Sequence, residues 1–317
     1  MKSLRVVYMG TPEFAVLPLE RILQAGIEVA SVVTVADKPA GRGREMKASA
    51  VKHFALKHGL QVLQPENLKD EAFIEKLHSL KADVFVVVAF RKLPRQVWQI
   101  PPLGCFNLHA SLLPQYRGAA PINHVLINGE SKTGVTTFFI DENIDTGAII
   151  MQQSIEIGFD ETAGELHDRL MELGAETILK TLKMIASGQV HTYPQPQTDA
   201  ALRSAPRLFR EHGEVNWDQP AAVIHNLIRG LSPYPASWAH LWINGSQKEI
   251  KLLKSALTAI TADLNPGEVL LTDQGRLLVA TRDEMIEILL LQPAGKKPMK
   301  SDAFIRGIQS GIRLRFL

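Results

Sequence analysis

The run Phe106-Asn-Leu-His109 alternates apolar and polar residues, and Asp145 follows within Asp141-Glu-Asn-Ile-Asp-Thr-Gly147. On a strand, alternate residues share a face, so Asn107 and His109 are expected to project side by side. An amide donor, an imidazole and a carboxylate are the groups that acyl transfer to an amine requires. The attack of an amine on a carbonyl carbon creates a tetrahedral oxyanion, and an amide such as that of Asn107, donating to it, is worth ~3 kcal/mol. His109 is a second donor when protonated, and when neutral it can take the amine's proton. Asp145 would orient the imidazole. An acyl donor that arrives already activated needs no protein nucleophile.

These residues have to be carried by a frame, and the hydrophobic pattern supplies one. Leu4–Met9 and Ile27–Thr34 read as strands, with a helix from Pro12 to about Gln24 between them. Ser49 is placed to cap a helix running to His58, and a further helix is expected from about Lys69 to Leu80. Asp83–Ala89 is a nearly continuous apolar run, the mark of a strand covered on both faces. Strand and helix patterns therefore alternate, which predicts an α/β, doubly wound, mostly parallel Rossmann-like sheet. The strand carrying Asn107 and His109 belongs to it. Open α/β sheets bind ligands beyond the carboxyl ends of their strands, which is where this pair falls. Gly134–Ile140 and Ala148–Glu156 read as two strands flanking the Asp145 loop, followed by a long helix from about Thr162 to Ser187.

The character of the chain changes near Gly188. The predicted division is a catalytic domain over 1–189, a Pro- and Gln-rich linker over 190–208 and an OB-like β-barrel domain over 209–317. Five short strand candidates between Ser237 and Gln292 carry the barrel reading, with a helix before them up to about Arg229. Trp217, Trp238 and Trp242 are expected in its core.

Several functions are disfavoured. Strand, Gly10 and helix invite a dinucleotide fold, but Pro12 stands where the second glycine of the fingerprint belongs. Neither a phosphate loop nor Cys/His pairs at zinc spacing occur, so no nucleotide cofactor and no metal are expected. The 317 residues hold one cysteine, Cys105, which suits a reducing cytoplasm and reads as a small buried hydrophobe. No apolar run approaches the ~18 residues of a membrane span, and the N-terminus reads as a strand and not as a signal peptide. The net charge of +2 neither demands nor excludes nucleic acid, but the loop Asp37–Ala48, with Arg42, Arg44 and Lys47, is a local basic patch. Further basic residues, among them Arg203, Arg207 and Arg210, lie in the C-terminal part.

Taken together, Asn107-x-His109, Ser111-Leu-Leu-Pro114, Tyr116-Arg-Gly-Ala-Ala-Pro-Ile122 and Asp145-Thr-Gly147 resemble the formyltransferases that use 10-formyltetrahydrofolate. Asp37-Lys-Pro-Ala-Gly-Arg-Gly-Arg44, Gly213-Glu-Val-Asn-Trp217, Asn226–Pro235 and Leu291–Met299 are similar to the branch of that family that formylates methionyl-tRNA. The resemblance implies Asn107, His109 and Asp145 as the catalytic trio. It implies a folate site lined by Phe90, Ser111, Leu112, Leu113, Pro114 and Asp141. It also implies initiator tRNA held by Arg42, Arg44, Lys47 and Arg207, in a cytoplasmic, monomeric enzyme that needs no metal. One segment departs from the family: Ala89-Phe-Arg-Lys-Leu-Pro94 lacks a glycine and is one residue shorter, which leaves the folate contacts of Arg91–Leu93 open. A formyltransferase acting on an amino-sugar nucleotide, a folate hydrolase and an inactive RNA-binding protein are the competing readings.

Overall fold

A computed structural model of the chain describes residues 4–40, 45–195, 201–243, 245–308 and 313–317. The chain packs as two compact units. The first comprises Met1–Gly118, Thr133–Ile155 and His167–Ser204, and the second comprises Ala119–Lys132, Glu156–Leu166 and Ala205–Leu317. Two pieces from the middle of the chain therefore pack with the C-terminal residues.

In the first unit the strands are β1 (Arg5–Gly10), β2 (Glu28–Val33), β3 (Lys38–Ala40), β4 (Glu45–Lys47), β5 (Val62–Leu63), β6 (Val84–Val88), β7 (Cys105–His109), β8 (Arg117–Gly118), β9 (Lys132–Phe139) and β10 (Ile149–Glu156). Among the described residues the α-helices are α1 (Val16–Gln24), α2 (Ala50–Lys57), α3 (Glu71–Ser79), α4 (Arg95–Trp98), α5 (Pro121–Ile127), α6 (Ala163–Ser187), α7 (Ala221–Leu231) and α8 (Ser301–Ile305). The main sheet has the order β10-β9-β7-β6-β1-β2-β5. β6 runs parallel to both β1 and β7, while β9 runs antiparallel to β7. From β1 the chain winds outward through β2 and β5, then returns to lay β6 and β7 on the other side. Such a reversal opens a crevice at the carboxyl ends of the strands.

The predicted elements follow their local chemistry. All five residues of β6 are buried. Its Phe85 and Val87 join Val7, Met9, Leu77 and Cys105 in one core cluster. Ser49 accepts a hydrogen bond from Lys52 N and Asp70 accepts one from Ala72 N, which satisfies donors at the first turns of α2 and α3. On β7 the alternation decides what faces the site. A side chain on Gly174 of α6 would come within 2.7 Å of Leu108 Cδ2, so α6 lies hard against the Leu108 face. Asn107 and His109 project from the other face.

Asp37–Ala48, expected as a loop, contains a short antiparallel ribbon in which Lys38 pairs with Lys47 and Pro39 with Met46. Its base is fixed because Asp37 accepts from Lys52 Nζ at 2.6 Å and from Gln64 Nε2 at 2.8 Å. These two donors hold the Asp37 carboxyl below the usual carboxylate range. The segment read as a linker also makes firm contacts where it is described. Tyr193 exchanges both backbone hydrogen bonds with Ile149, at 2.8 and 3.1 Å.

The second unit continues the strands as β11 (Ser204–Ala205), β12 (Ser237–Ile243), β13 (Ser246–Thr261), β14 (Val269–Leu271), β15 (Leu277–Ala280), β16 (Glu284–Pro293), β17 (Met299–Lys300) and β18 (Arg315–Phe316). Six of them follow the order β14-β15-β16-β13-β12-β18. A bridge between Glu268 and Arg315 nearly closes this antiparallel sheet into a barrel. Along β12, Ser237, Ala239 and Leu241 are buried while Trp238, His240 and Trp242 are more exposed. Trp217 is in the core at 4% exposure and packs on Phe316, but Trp242 is 45% exposed. The expectation of a core position for Trp242 is thus corrected by the strand's alternation.

Candidate active site

The trio predicted from sequence converges at one end of the sheet. Asn107 is half-buried on β7 and pairs in register with Val87 of β6 and Phe138 of β9. His109 ends the strand and is 6% exposed. Its Nε2 lies 2.9 Å from the carbonyl oxygen of Tyr116. A carbonyl can only accept, so Nε2 carries a hydrogen. Its Nδ1 lies 3.8 Å from Asp145 Oδ2, close enough for an ion pair but beyond direct hydrogen-bond reach. The ring nitrogen not held by a backbone acceptor is therefore the one beside the carboxylate.

Asp145 is itself held. Its backbone has φ +57°, and Oδ2 accepts from Gly118 N at 3.1 Å. The loop before it turns on Asp141, whose Oδ1 accepts from Asn143 N at 3.0 Å and from Thr146 Oγ1 at 2.7 Å. Gly147 ends the loop, where any Cβ would fall 1.7 Å from Phe139 O. Gln195 crosses beneath this loop and donates to the carbonyls of Asp145, at 2.8 Å, and Gly147, at 3.0 Å. Gln195 sits in a stretch rich in Pro and Gln, whose local pattern carries no signal for such a role. Tyr116 and Arg117 were visible only as part of a motif without an assigned task.

The residues expected at a folate site divide by environment. Ser111 is fully buried and its hydroxyl donates to Gln115 O at 2.7 Å, within its own turn. Leu113 is buried with Phe138 and Ile149, and its backbone N–H donates to Thr136 Oγ1 at 3.1 Å. Leu112 and Pro114 are half-buried, as is Phe90 just past the end of β6. In the segment 89–94, Arg91 donates to the carbonyls of Pro65 and Glu66 at 2.7 and 3.0 Å, and Leu93 is buried in the core. Cys105 is also buried, and burial pushes its thiol pKa up, which makes it a poor nucleophile. Of the basic residues, Lys47 and Arg207 are exposed, and the Arg207 guanidinium lies 5.6 Å over the Phe209 ring. Arg42 and Arg44 lie outside the described residues.

The formyl transferase family matches residues 3–182, and the formyl transferase C-terminal domain matches residues 207–309. The chain belongs to the formyl transferase family. This formyl transferase is 48% identical over 308 residues to the methionyl-tRNA formyltransferase of Flavobacterium johnsoniae, covering 97% of each chain. It is 47% identical over 310 residues to the protein of the same name from Bacteroides fragilis, covering 96% of this chain and 95% of that one. In fold it is similar to the N-formyltransferase of Helicobacter canadensis solved with folinic acid and dTDP-3-aminofucose. That likeness has a TM-score of 0.66 and 23% identity, over 92% of this chain and 99% of the other. Among the described residues, no group of three or more His, Cys, Asp or Glu could hold a metal ion, and no helix is long and apolar enough to cross a membrane.

Proposed function

We propose that this formyl transferase moves the formyl group of 10-formyltetrahydrofolate to the α-amino group of methionyl-initiator tRNA, yielding N-formylmethionyl-tRNA for translation initiation. The observation that carries the choice of acceptor is the 48% identity with a methionyl-tRNA formyltransferase along 97% of both chains. It extends through both domains, whereas the Asn-x-His pattern alone would fit other acceptors.

In this reading Asn107, His109 and Asp145 are the catalytic residues. The amine nitrogen bonds to the formyl carbon, and the Asn107 amide donates to the oxyanion that forms. The proton released by the amine is taken at Nδ1 of His109, since Nε2 already carries a hydrogen directed at Tyr116 O. Asp145 compensates the charge that the imidazole acquires. The bond from the formyl carbon to the folate N10 then breaks, and the proton passes to that nitrogen as the folate leaves.

Phe90, Ser111, Leu112, Leu113, Pro114 and Asp141 form the proposed folate site, with Ser111 and Leu113 shaping it from beneath. Arg42, Arg44, Lys47 and Arg207 contact the tRNA backbone. The proposed functional division is catalysis by 1–189, a linker over 190–208 and tRNA binding by 209–317. The enzyme works in the cytoplasm as a monomer.

The test is incubation of the purified chain with 10-formyltetrahydrofolate and methionyl-initiator tRNA. Formyl on the methionine, absent with His109→Ala, is the expected result. Folate turnover with an amino-sugar nucleotide alone would move the acceptor to a different class, and turnover without any amine would make the chain a hydrolase.

A further inference from the structure

We propose that Gln195 and Arg117 form a brace that positions Asp145 for catalysis. The inference rests on Asp145 acting beside His109, and it adds the residues that keep the carboxylate there. Gln195 is 9% exposed. Its Nε2 donates to Asp145 O at 2.8 Å and to Gly147 O at 3.0 Å, while its Oε1 accepts from Arg117 Nε at 3.1 Å and also from Nη2. Both hydrogens and the oxygen of the amide are engaged. The orientation of the amide is determined, because two carbonyls only accept and a guanidinium only donates.

The brace reaches Asp145 from both sides. Gln195 holds its backbone carbonyl, and Gly118, the residue after Arg117, gives its N–H to the carboxylate Oδ2 at 3.1 Å. A closed circuit therefore runs from the Asp145 backbone through Gln195 and Arg117 to Gly118 and back to the Asp145 carboxylate. Such a circuit has work to do here. Asp145 has φ +57°, a left-handed conformation that a non-glycine residue keeps only when its surroundings impose it. The carboxylate must also stay beside Nδ1 without a direct hydrogen bond to keep it there, at 3.8 Å. The amide is thus a positioning residue that acts through Asp145.

Two substitutions test the brace. Gln195→Met keeps the length of the side chain and removes its polar atoms. Gln195→Glu still accepts from Arg117 but cannot donate to the two carbonyls. In each, kcat for formyl transfer should fall about 10- to 100-fold, the range expected for a misplaced catalytic group. KM for the folate and for the tRNA should each change by less than about threefold, the pattern of a transition-state effect. In an Asp145→Asn background the same changes should cost less than about twofold, because residues that act through one another are not additive. Equal losses with and without Asp145 would make Gln195 a merely structural residue and overturn the proposal. Thermal unfolding is recorded alongside, and if Gln195→Met does not fold, Gln195→Glu alone decides. A second readout separates this inference from the proposed reaction. The ring ¹⁵N signals of His109 should move in both variants toward their position in Asp145→Asn, with no substrate present. An unmoved ring would overturn the brace even if formyl transfer is confirmed, and a moved ring would support it even if the acceptor proves different.

Discussion

The imidazole of His109 is tied through Nε2 to the carbonyl oxygen of Tyr116 at 2.9 Å, and Tyr116 has φ +60°. The strained turn aims a backbone acceptor at the ring, and the acceptor fixes which nitrogen holds its hydrogen. A backbone carbonyl is a better tautomer selector than a side chain, since no substitution or protonation changes it. Only Nδ1, next to Asp145, remains to exchange a proton with a reacting group.

Asn107→Ala should lower kcat for formyl transfer about 10²- to 10³-fold, the cost of removing one donor to a developing oxyanion. KM for both substrates should stay near its original value. Asn107 is only half-buried in the middle of β7, so the fold should survive its loss. Circular dichroism and steady-state rates check both parts, and near-normal turnover would remove Asn107 from the oxyanion role.

Gly147→Ala should destabilise the first unit by about 1–3 kcal/mol, as overpacking does. The added Cβ would lie 1.7 Å from Phe139 O and 2.9 Å from Phe139 C, and neither backbone atom can move aside as a side-chain tip can. Any relaxation displaces the carbonyl that Gln195 holds and with it the Asp145 loop. Urea unfolding should show the loss of stability, and kcat should fall with it. A variant of unchanged stability would mean that the loop tolerates the displacement.

The trio was readable because period-two alternation, a parallel strand's end and an acidic loop are all local patterns. β6 was readable for the same reason, since five consecutive buried residues leave a continuous apolar run. What holds the trio was hidden. Gln195 acts on Asp145 from 50 positions away in the chain, and Arg117 meets Gln195 across 78. Pairings at such separations are set by tertiary packing and leave no mark on local composition. The ribbon formed by β3 and β4 was missed because its strands are three residues each and Pro39 and the glycines signal a loop. Trp242 was misplaced because an aromatic residue on a barrel strand reads as core until its neighbours' register is known.

Lys47→Ala and Arg207→Ala should each raise KM for tRNA several-fold and leave KM for the folate unchanged. Both side chains are exposed. If each neutralises one phosphate, its loss should make the slope of log affinity against log salt less negative by about one. Arg42→Ala carries the same expectation from the sequence. Filter binding of methionyl-tRNA at several salt concentrations measures the slope. An unchanged slope would take that residue off the RNA, and a parallel rise in KM for the folate would assign it to the folate site.

The stability of the second unit should fall as pH drops from about 7 toward 5, through the ordinary range of histidine, and His225→Gln should flatten that dependence. His225 is 3% exposed on α7 and stacks on Phe159 with ring centroids 6.0 Å apart. Burial lowers its pKa first and the nearby Arg229 lowers it further, while Asp160, at 3.4 Å from Nε2, and the Phe159 backbone act in the opposite direction. The sign follows from the depressed value. The folded state binds the proton less well than the unfolded chain, so stability is fully present above the unfolded pKa and is lost as pH falls through it toward the folded one. The depressed carboxylates of Glu165, Asp283 and Asp302 give the same sign but titrate in a lower range. Unfolding midpoints taken above about pH 5, where ordinary carboxylates are ionised, isolate the histidine. The gap between His225→Gln and the original chain should then narrow on acidification if the variant starts less stable, and a gap in the variant's favour should open if the two start level. A variant that keeps the full pH dependence would show that another group titrates there.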